Sequence, residues 1–317
     1  DEALSRGFDM VNDICGFADP EMPRVCREHD VAVSKMASPP DLERPGAVED
    51  VDDIYEALSM NGLTDKTILD PAFGGWSEAK THEDDRETFH RLREFRGYGR
   101  PLLVSINRKS FLKTIAGRDT EGALPVSLAA TSMAVERGAH VIRTHDVAET
   151  RDAALVGAAF ARGRKHSAAE SGSIAAEELD VTTVREAERH LDRLAADRSV
   201  AGDAVVRTYE LDGLTDEAVG ALRAATTAPD VGAAFALAGS ADHAAAVEPS
   251  ATDGGTTDGE TAHSTGSEGR PVDGTGTAGR SGLLVGTATG LSAVRSAVAD
   301  ASDPLDATLE SIDDTSR

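Results

Sequence analysis

Three short stretches of the sequence gather side chains able to bind or polarise a ligand. The first is Ile68-Leu69-Asp70-Pro71-Ala72-Phe73-Gly74-Gly75-Trp76, an apolar run that empties through Asp-Pro into a glycine-rich loop. A carboxylate in that position can accept two parallel hydrogen bonds from an amino group and its neighbouring ring N–H, although Asp, Pro and Gly are also ordinary turn formers. The second stretch, Leu103 to Phe111, delivers Asn107, Arg108, Lys109 and Ser110 where a buried strand would end. Charges there can equally form a solvated rim. The third, Val141 to Val147, alternates so that Arg143 and His145 share one face of a strand. A guanidinium beside an imidazole suits an anion of the phosphate kind.

The elements that must hold these residues follow from hydrophobic periodicity. Five apolar runs, 9–14, 31–36, 67–71, 101–106 and 140–144, read as strands. Helical patterns over 20–29, 48–60, 84–96, 125–137 and 147–162 alternate with them, and Gly138 is placed to end the fourth. Strand alternating with helix predicts a parallel sheet with right-handed crossovers, either open and doubly wound or closed as a (β/α)8 barrel. A doubly wound sheet collects its ligand residues at one switch point, whereas a barrel brings every strand's C-terminal end to one mouth. Here all five strands end in polar or reactive residues: Asn12 and Asp13, Lys35 and Met36, Asp70, Asn107 to Lys109, then Arg143 to Asp146. The expectation is α/β, the C-terminal five βα units of a TIM barrel over residues 1–164, with three units missing upstream of Asp1. A smaller α/β module is expected over 165–247 and 283–317, with helices at 181–196, 216–224 and 291–300 and strands at 204–209 and 283–285. Between its halves, 248–282 is Gly, Thr, Ser and Asp with hardly an aliphatic residue, so it is expected to be a disordered insertion.

Taken together, Asn12-Asp13-Ile14-Cys15-Gly16, the strand end at Met36, Asp70-Pro71-Ala72-Phe73-Gly74, Asn107-Arg108-Lys109-Ser110-Phe111 and Arg143-Thr144-His145-Asp146-Val147 resemble, in order and spacing, the dihydropteroate synthase family. The resemblance covers residues 1 to about 162. It implies a transferase that condenses a pterin pyrophosphate with 4-aminobenzoate and releases pyrophosphate. Carried onto matching positions, it implies that Asn12, Met36, Asp70 and Lys109 bind the pterin, that Ser110 and Trp76 hold the aminobenzoate, and that Arg143 and His145 hold the leaving pyrophosphate. Lys109, Arg143 and His145 form the catalytic set. The resemblance also implies Mg2+, with its ligand in the absent N-terminal part. Departures from the family pattern are Asn107 for Ser, Ala37 for His, and Gly75-Trp76 for Gly-Phe. Two rival readings are a pterin-dependent methyl-transfer barrel and a non-catalytic remnant that acts in assembly; a fused folate-pathway polypeptide would also account for the absent start.

Composition narrows the partners. Over 317 residues the net charge is −24, and only six of the 32 basic residues are Lys, a balance that argues against nucleic acid or an anionic membrane. It also suggests a halophilic cytoplasm, where salt screens a dense carboxylate surface. Small-molecule substrates are the partners expected, and a homodimer stays open. Cys15 and Cys26 read as free thiols of a reducing compartment, and no apolar stretch is long enough for a membrane span. Three further patterns read as structural: the acids after Thr81 as helix capping, Gly274 to Gly279 as linker despite its dinucleotide-like spacing, and Leu284 to Gly290 as a strand-to-helix turn with some capacity to cradle an anion.

Overall fold

A computed structural model of the chain describes residues 1–39, 41–43, 45–74, 79–164, 166–168, 175–228, 230–238, 280–299 and 303–314. They fall into two compact units, Asp1–Ala201 and Gly202–Arg317.

The first unit alternates strand and helix. In chain order it contains α1 (Glu2–Ser5), β1 (Met10–Asp13), α2 (Glu21–Glu28), β2 (Ala32–Met36), α3 (Val51–Ser59), β3 (Thr67–Asp70), α4 (His82–His90), a 3-10 segment (Leu92–Tyr98), β4 (Leu103–Val104), α5 (Ser110–Ala116), α6 (Leu124–Glu136), β5 (Val141–Ile142) and α7 (Val147–Phe160). β1, β2 and β3 pair in parallel, a parallel bridge from Leu69 to Leu102 leads on to β4, and β4 pairs in parallel with β5. All five expected strands are present, a helix overlaps each of the five expected helical stretches, and the unit is α/β. Side chains between sheet and helices form the core, with Leu69, Leu92, Phe95, Leu102, Val104 and Ile106 at or near complete burial. Each such side chain contributes roughly 1.5–3 kcal/mol.

Local chemistry sets the helix ends. Thr81 and Asp84 form a capping box at α4, as the acids after Thr81 predicted. Gly138, at φ +105°, turns the chain out of α6 while the Ala139 amide donates to Ala134 O at 2.9 Å. The expected helix over 84–96 is instead α4 followed by the 3-10 segment, which stops at left-handed Gly99.

Two further expectations are corrected. The sequence groups Lys35 with the residues at the strand mouth, yet the alternation of β2 turns it to the opposite face from Met36. There it is fully buried, and its ammonium donates to the carbonyls of Leu58 (3.0 Å), Met60 and Gly62 (3.1 Å), which follow from the C-terminal turn of α3. Burial pushes its pKa down to about 8. The second correction is the boundary near 164. The first compact unit continues through an antiparallel pair, β6 (His166–Ala168) with β7 (Ala175–Glu177), and through α8 (Val184–Arg193). α8 lies against the 3-10 segment so closely that a Cβ on Gly97 would come 2.4 Å from that of Arg189, and buried Glu186 faces Arg96 at 3.5 Å.

The second unit contains β8 (Val206–Leu214), α9 (Asp216–Ala225), β9 (Ala233–Leu237), β10 (Arg280–Thr287), α10 (Ala288–Val298) and α11 (Asp303–Asp314). Its sheet is antiparallel with β10 between β8 and β9, and Leu222, Leu284, Val294, Val298 and Leu305 form its core. β9 and α11 were not expected. The expected insertion lies outside the described residues except for 280–282, which open β10, and 274–279 lies outside them entirely. At the 284–290 turn the Thr287 hydroxyl takes the Gly290 amide at 3.0 Å, an ordinary N-cap. No described helix is long and apolar enough to cross a membrane.

Candidate active site

The C-terminal ends of β2, β3, β4 and β5 surround a cavity of about 260 Å³. Register explains why they meet there. In parallel pairing Met36 stands opposite Asp70, and Asn12 opposite Ser34 two residues before Met36, so these four side chains point to one face of the sheet. Met36, Asp70, Lys109, Arg143 and His145 all line the cavity, joined by Phe73, Asn107 and Thr144. Three other expected site residues do not. Asn12 is exposed on β1 and Ser110 is exposed at the first position of α5, neither reaching the cavity wall, while Trp76 lies outside the described residues.

Asp70 forms the deep end. It is 3% exposed, and its Oδ1 accepts the Ala72 amide at 2.9 Å. Burial pushes its pKa up to about 6, against the downward pull of that amide and of Lys109, Arg143 and Lys80. Lys109 is half-buried, and burial lowers its pKa while Asp70 opposes the shift. The ammonium lies over Gly74, whose φ of +107° and missing side chain make room for it. Arg143 and His145 are exposed at the rim, and the Arg143 amide extends the sheet ladder by donating to Val104 O at 3.0 Å. The cavity therefore runs from a buried carboxylate, past a half-buried ammonium, to an open cationic edge.

Two arrangements around it were not read from the sequence. Asp146 binds Arg108 through Nε (2.9 Å) and Nη2 (3.1 Å) and takes the Asn107 amide nitrogen at 2.9 Å. The hydrogen bond from Arg108, then that from Asn107, draws the Asp146 carboxyl down to about 2. Arg108 also donates to Thr120 O and Glu121 O, so it braces the loop after β4. Beneath the 71–74 loop, Lys80 and Asp85 form a buried ion pair at 3.1 Å. Lys80 donates to Ala72 O and Asp85 accepts the Gly74 amide, which fixes the backbone between Asp70 and Lys109. Buried Ser34 Oγ and Asn107 Oδ1 have no protein partner among the described residues, and both lie on the ligand side, Ser34 by register and Asn107 by lining the cavity. No three His, Cys, Asp or Glu side chains among the described residues converge to hold a metal ion.

A deep carboxylate, an ammonium over a glycine turn and a cationic rim gather at these strand ends, and residues 1–145 match the pterin binding enzyme family. Within it the similar proteins are dihydropteroate synthases. That of Bacillus subtilis strain 168 is 30% identical over 173 residues, 52% of this chain and 60% of its own length. A probable bifunctional folylpolyglutamate synthase/dihydropteroate synthase of Halobacterium salinarum is 32% identical over 174 residues, 51% of this chain and 21% of that one. The solved dihydropteroate synthase of Thermus thermophilus is 31% identical with a TM-score of 0.43, over 50% of this chain and 67% of that chain. The chain thus spans about three fifths of the single-function B. subtilis relative and a fifth of the fused one.

Proposed function

We propose that residues 1–162 are the last five βα units of a dihydropteroate synthase barrel, and that with three further units they form dihydropteroate. The observation that carries this reading is the single cavity holding buried Asp70 at one end and Arg143 with His145 at the other. Asp70, once ionised, accepts the amino group and ring N–H of a pterin, with Met36 against the ring and Lys109 on its acceptors. Asn12 completes that subsite when the first strands stand beside β1. The pyrophosphate then lies toward Arg143 and His145. The arylamine nitrogen of 4-aminobenzoate attacks the pterin methylene, the carbon–oxygen bond breaks, pyrophosphate leaves with the electron pair, and the new nitrogen loses a proton. The protein positions the two reactants and stabilises the departing anion. Ser110 and Trp76 are assigned to the aminobenzoate.

Uncovered surface supports the missing units. Among the described residues β1 pairs on one side only, and Phe8, Met10, Leu155 and Phe160 are exposed. Mg2+ is placed in the first three units, outside residues 1–162. A saline cytoplasm fits the net charge of −24 and the likeness to a Halobacterium salinarum protein.

The test is formation of dihydropteroate and pyrophosphate from 6-hydroxymethyl-dihydropterin pyrophosphate and 4-aminobenzoate in high salt, by the chain joined to the first three units. Arg143→Ala should lower turnover on the order of a hundredfold, by analogy with loss of one oxyanion donor, and Arg143→Lys should restore only part. Calorimetry should show weaker binding of the pterin pyrophosphate and unchanged binding of the pterin alone. Equal weakening of both would remove Arg143 from the leaving-group site.

A further inference from the structure

At the opposite end of the strands, where the chain enters β4 and β5, lies a second cavity of about 400 Å³. Its wall is basic. Arg96 from the 3-10 segment, Arg100 from the turn before β4, Arg164 from beyond α7 and Arg193 from α8 all line it, and Glu177 of β7 is the only carboxylate among the lining residues. In a chain of net charge −24, four guanidinium groups against one carboxylate run counter to the overall balance.

The cations are held in place. Arg96 is bound to Leu179 O and faces Glu186 at 3.5 Å, Arg100 donates to Asp65 O at 2.8 Å, and Arg164 meets Glu177 at 3.3 Å. Arg193 has no carboxylate partner among the described residues. Two left-handed glycines let the long side chains lie flat: a Cβ on Gly138 would come 2.8 Å from Arg96 Cδ, and one on Gly99 would come 3.0 Å from Arg193 Cδ. Into this wall points His190, 5% exposed, with both ring nitrogens unpartnered. A buried imidazole left without hydrogen bonds is costly unless a ligand completes it. At the rim His140 Nδ1 accepts the Leu102 amide at 3.2 Å, so its proton sits on Nε2.

We propose that this cavity is a second anion site of the chain, built to take a multiply charged oxyanion of the phosphate class. Arginine forks offer paired N–H groups to two oxygens at once, and His190 supplies a further donor from the buried side. Burial, then the charges of Arg193 and Arg96, hold the empty imidazole neutral with a pKa of about 4. A bound dianion offsets those charges and favours the protonated ring. The site does not depend on the Asp70 cavity and stands whether or not that cavity forms dihydropteroate.

The experiment is titration of the full chain at pH 7 with inorganic phosphate, followed by calorimetry and by the ring resonances of its nine histidines. It is done in an Arg143→Ala/His145→Ala background, so that the other cationic cluster is silent. The expected result is one equivalent bound, a shift of the His190 signals well beyond that of the other rings, and a rise in the pH at which His190 titrates. Arg193→Ala should weaken binding at least tenfold, and Arg193→Lys should recover part of it. Arg193 is exposed, so neither change threatens the fold. Methyl phosphate serves as the second probe: tighter binding of the ester identifies a phosphorylated metabolite as the ligand, and tighter binding of phosphate identifies the free ion. Unmoved His190 signals, or unchanged affinity in Arg193→Ala, would overturn the assignment.

Discussion

The Lys109 ammonium rests on Gly74: a Cβ built at that glycine would stand 2.7 Å from Nζ and 3.1 Å from Cδ. Gly74 also has φ +107°, where an L side chain is strained. Gly74→Ala should therefore displace Lys109 while leaving the core intact. Pterin affinity in the joined enzyme is expected to fall on the order of a hundredfold, the usual effect of a displacement near one ångström at a binding group. Calorimetry reads the affinity, and an unchanged value would mean that Lys109 does not touch the pterin.

The pKa of Asp70 leads to opposite pH effects on binding and on stability. Binding needs the carboxylate, so pterin affinity should drop about tenfold per pH unit below about 6, and Asp70→Asn should bind weakly with no such slope. Stability runs the other way. The folded state holds the Asp70 proton up to about pH 6 while the unfolded chain releases it near 3.8, so this group's contribution is present below 3.8 and is lost as pH rises through 6. The difference is on the order of 3 kcal/mol. Asp70→Asn should thus be more stable than wild type at pH 7, and the gap should close by pH 4. Urea titrations at the two pH values measure it.

The Lys80–Asp85 pair, with side chains 0% and 4% exposed, offers a test of the loop's support. Lys80→Met leaves the Asp85 carboxylate buried beside the Gly74 amide without its cation, which should cost about 3–5 kcal/mol. Adding Asp85→Leu should recover much of that loss. A double-mutant cycle with no coupling would mean that water already reaches the pair.

How much of this was legible in the sequence depended on which physical signal each residue carried. Asp70, Lys109, Arg143 and His145 could be read because each is a charged or ionisable group at the end of an apolar run, the place where a parallel sheet brings its strands together. Lys35 carries the same local signal and faces away, since adjacent strand residues point to opposite sides and the one-residue difference from Met36 could not be fixed without the register. Within the acids after Thr81, Asp84 caps the helix as expected whereas Asp85 turns inward to Lys80, a partner five positions back with no periodic signature. β9 escaped notice because Ala233-Ala234-Phe235-Ala236-Leu237 has little β preference of its own and is fixed by its pairing with β10. The boundary at 201 was hidden because the contact of α8 with the 3-10 segment joins positions about ninety residues apart, through a glycine that only the packing explains. The basic cavity was invisible for the same reason: its four arginines come from four separate segments.

His190 should make the first unit sensitive to acid. Its folded pKa of about 4 lies below the ordinary 6.5 because burial and the neighbouring Arg193 and Arg96 disfavour the charged ring. Between those values the unfolded chain binds a proton that the folded chain refuses, so stability rises with pH across the window and is lost as pH falls from 6.5 toward 4. The full difference is on the order of 3 kcal/mol, enough to bring a marginal fold to its midpoint. Asp70 titrates over an overlapping window with the opposite sign, so the wild-type curve alone would mix the two. Subtracting His190→Gln, which keeps a polar side chain but cannot titrate, isolates the histidine. Unfolding in urea can be followed by the fluorescence of Trp76, the single tryptophan, which lies within the span of the first unit. The variant should lose less stability than wild type between pH 6.5 and 4, and saturating phosphate should shrink that difference by letting the folded ring take up its proton. Parallel curves for the two proteins without phosphate would mean that His190 is hydrated and not held neutral by its surroundings.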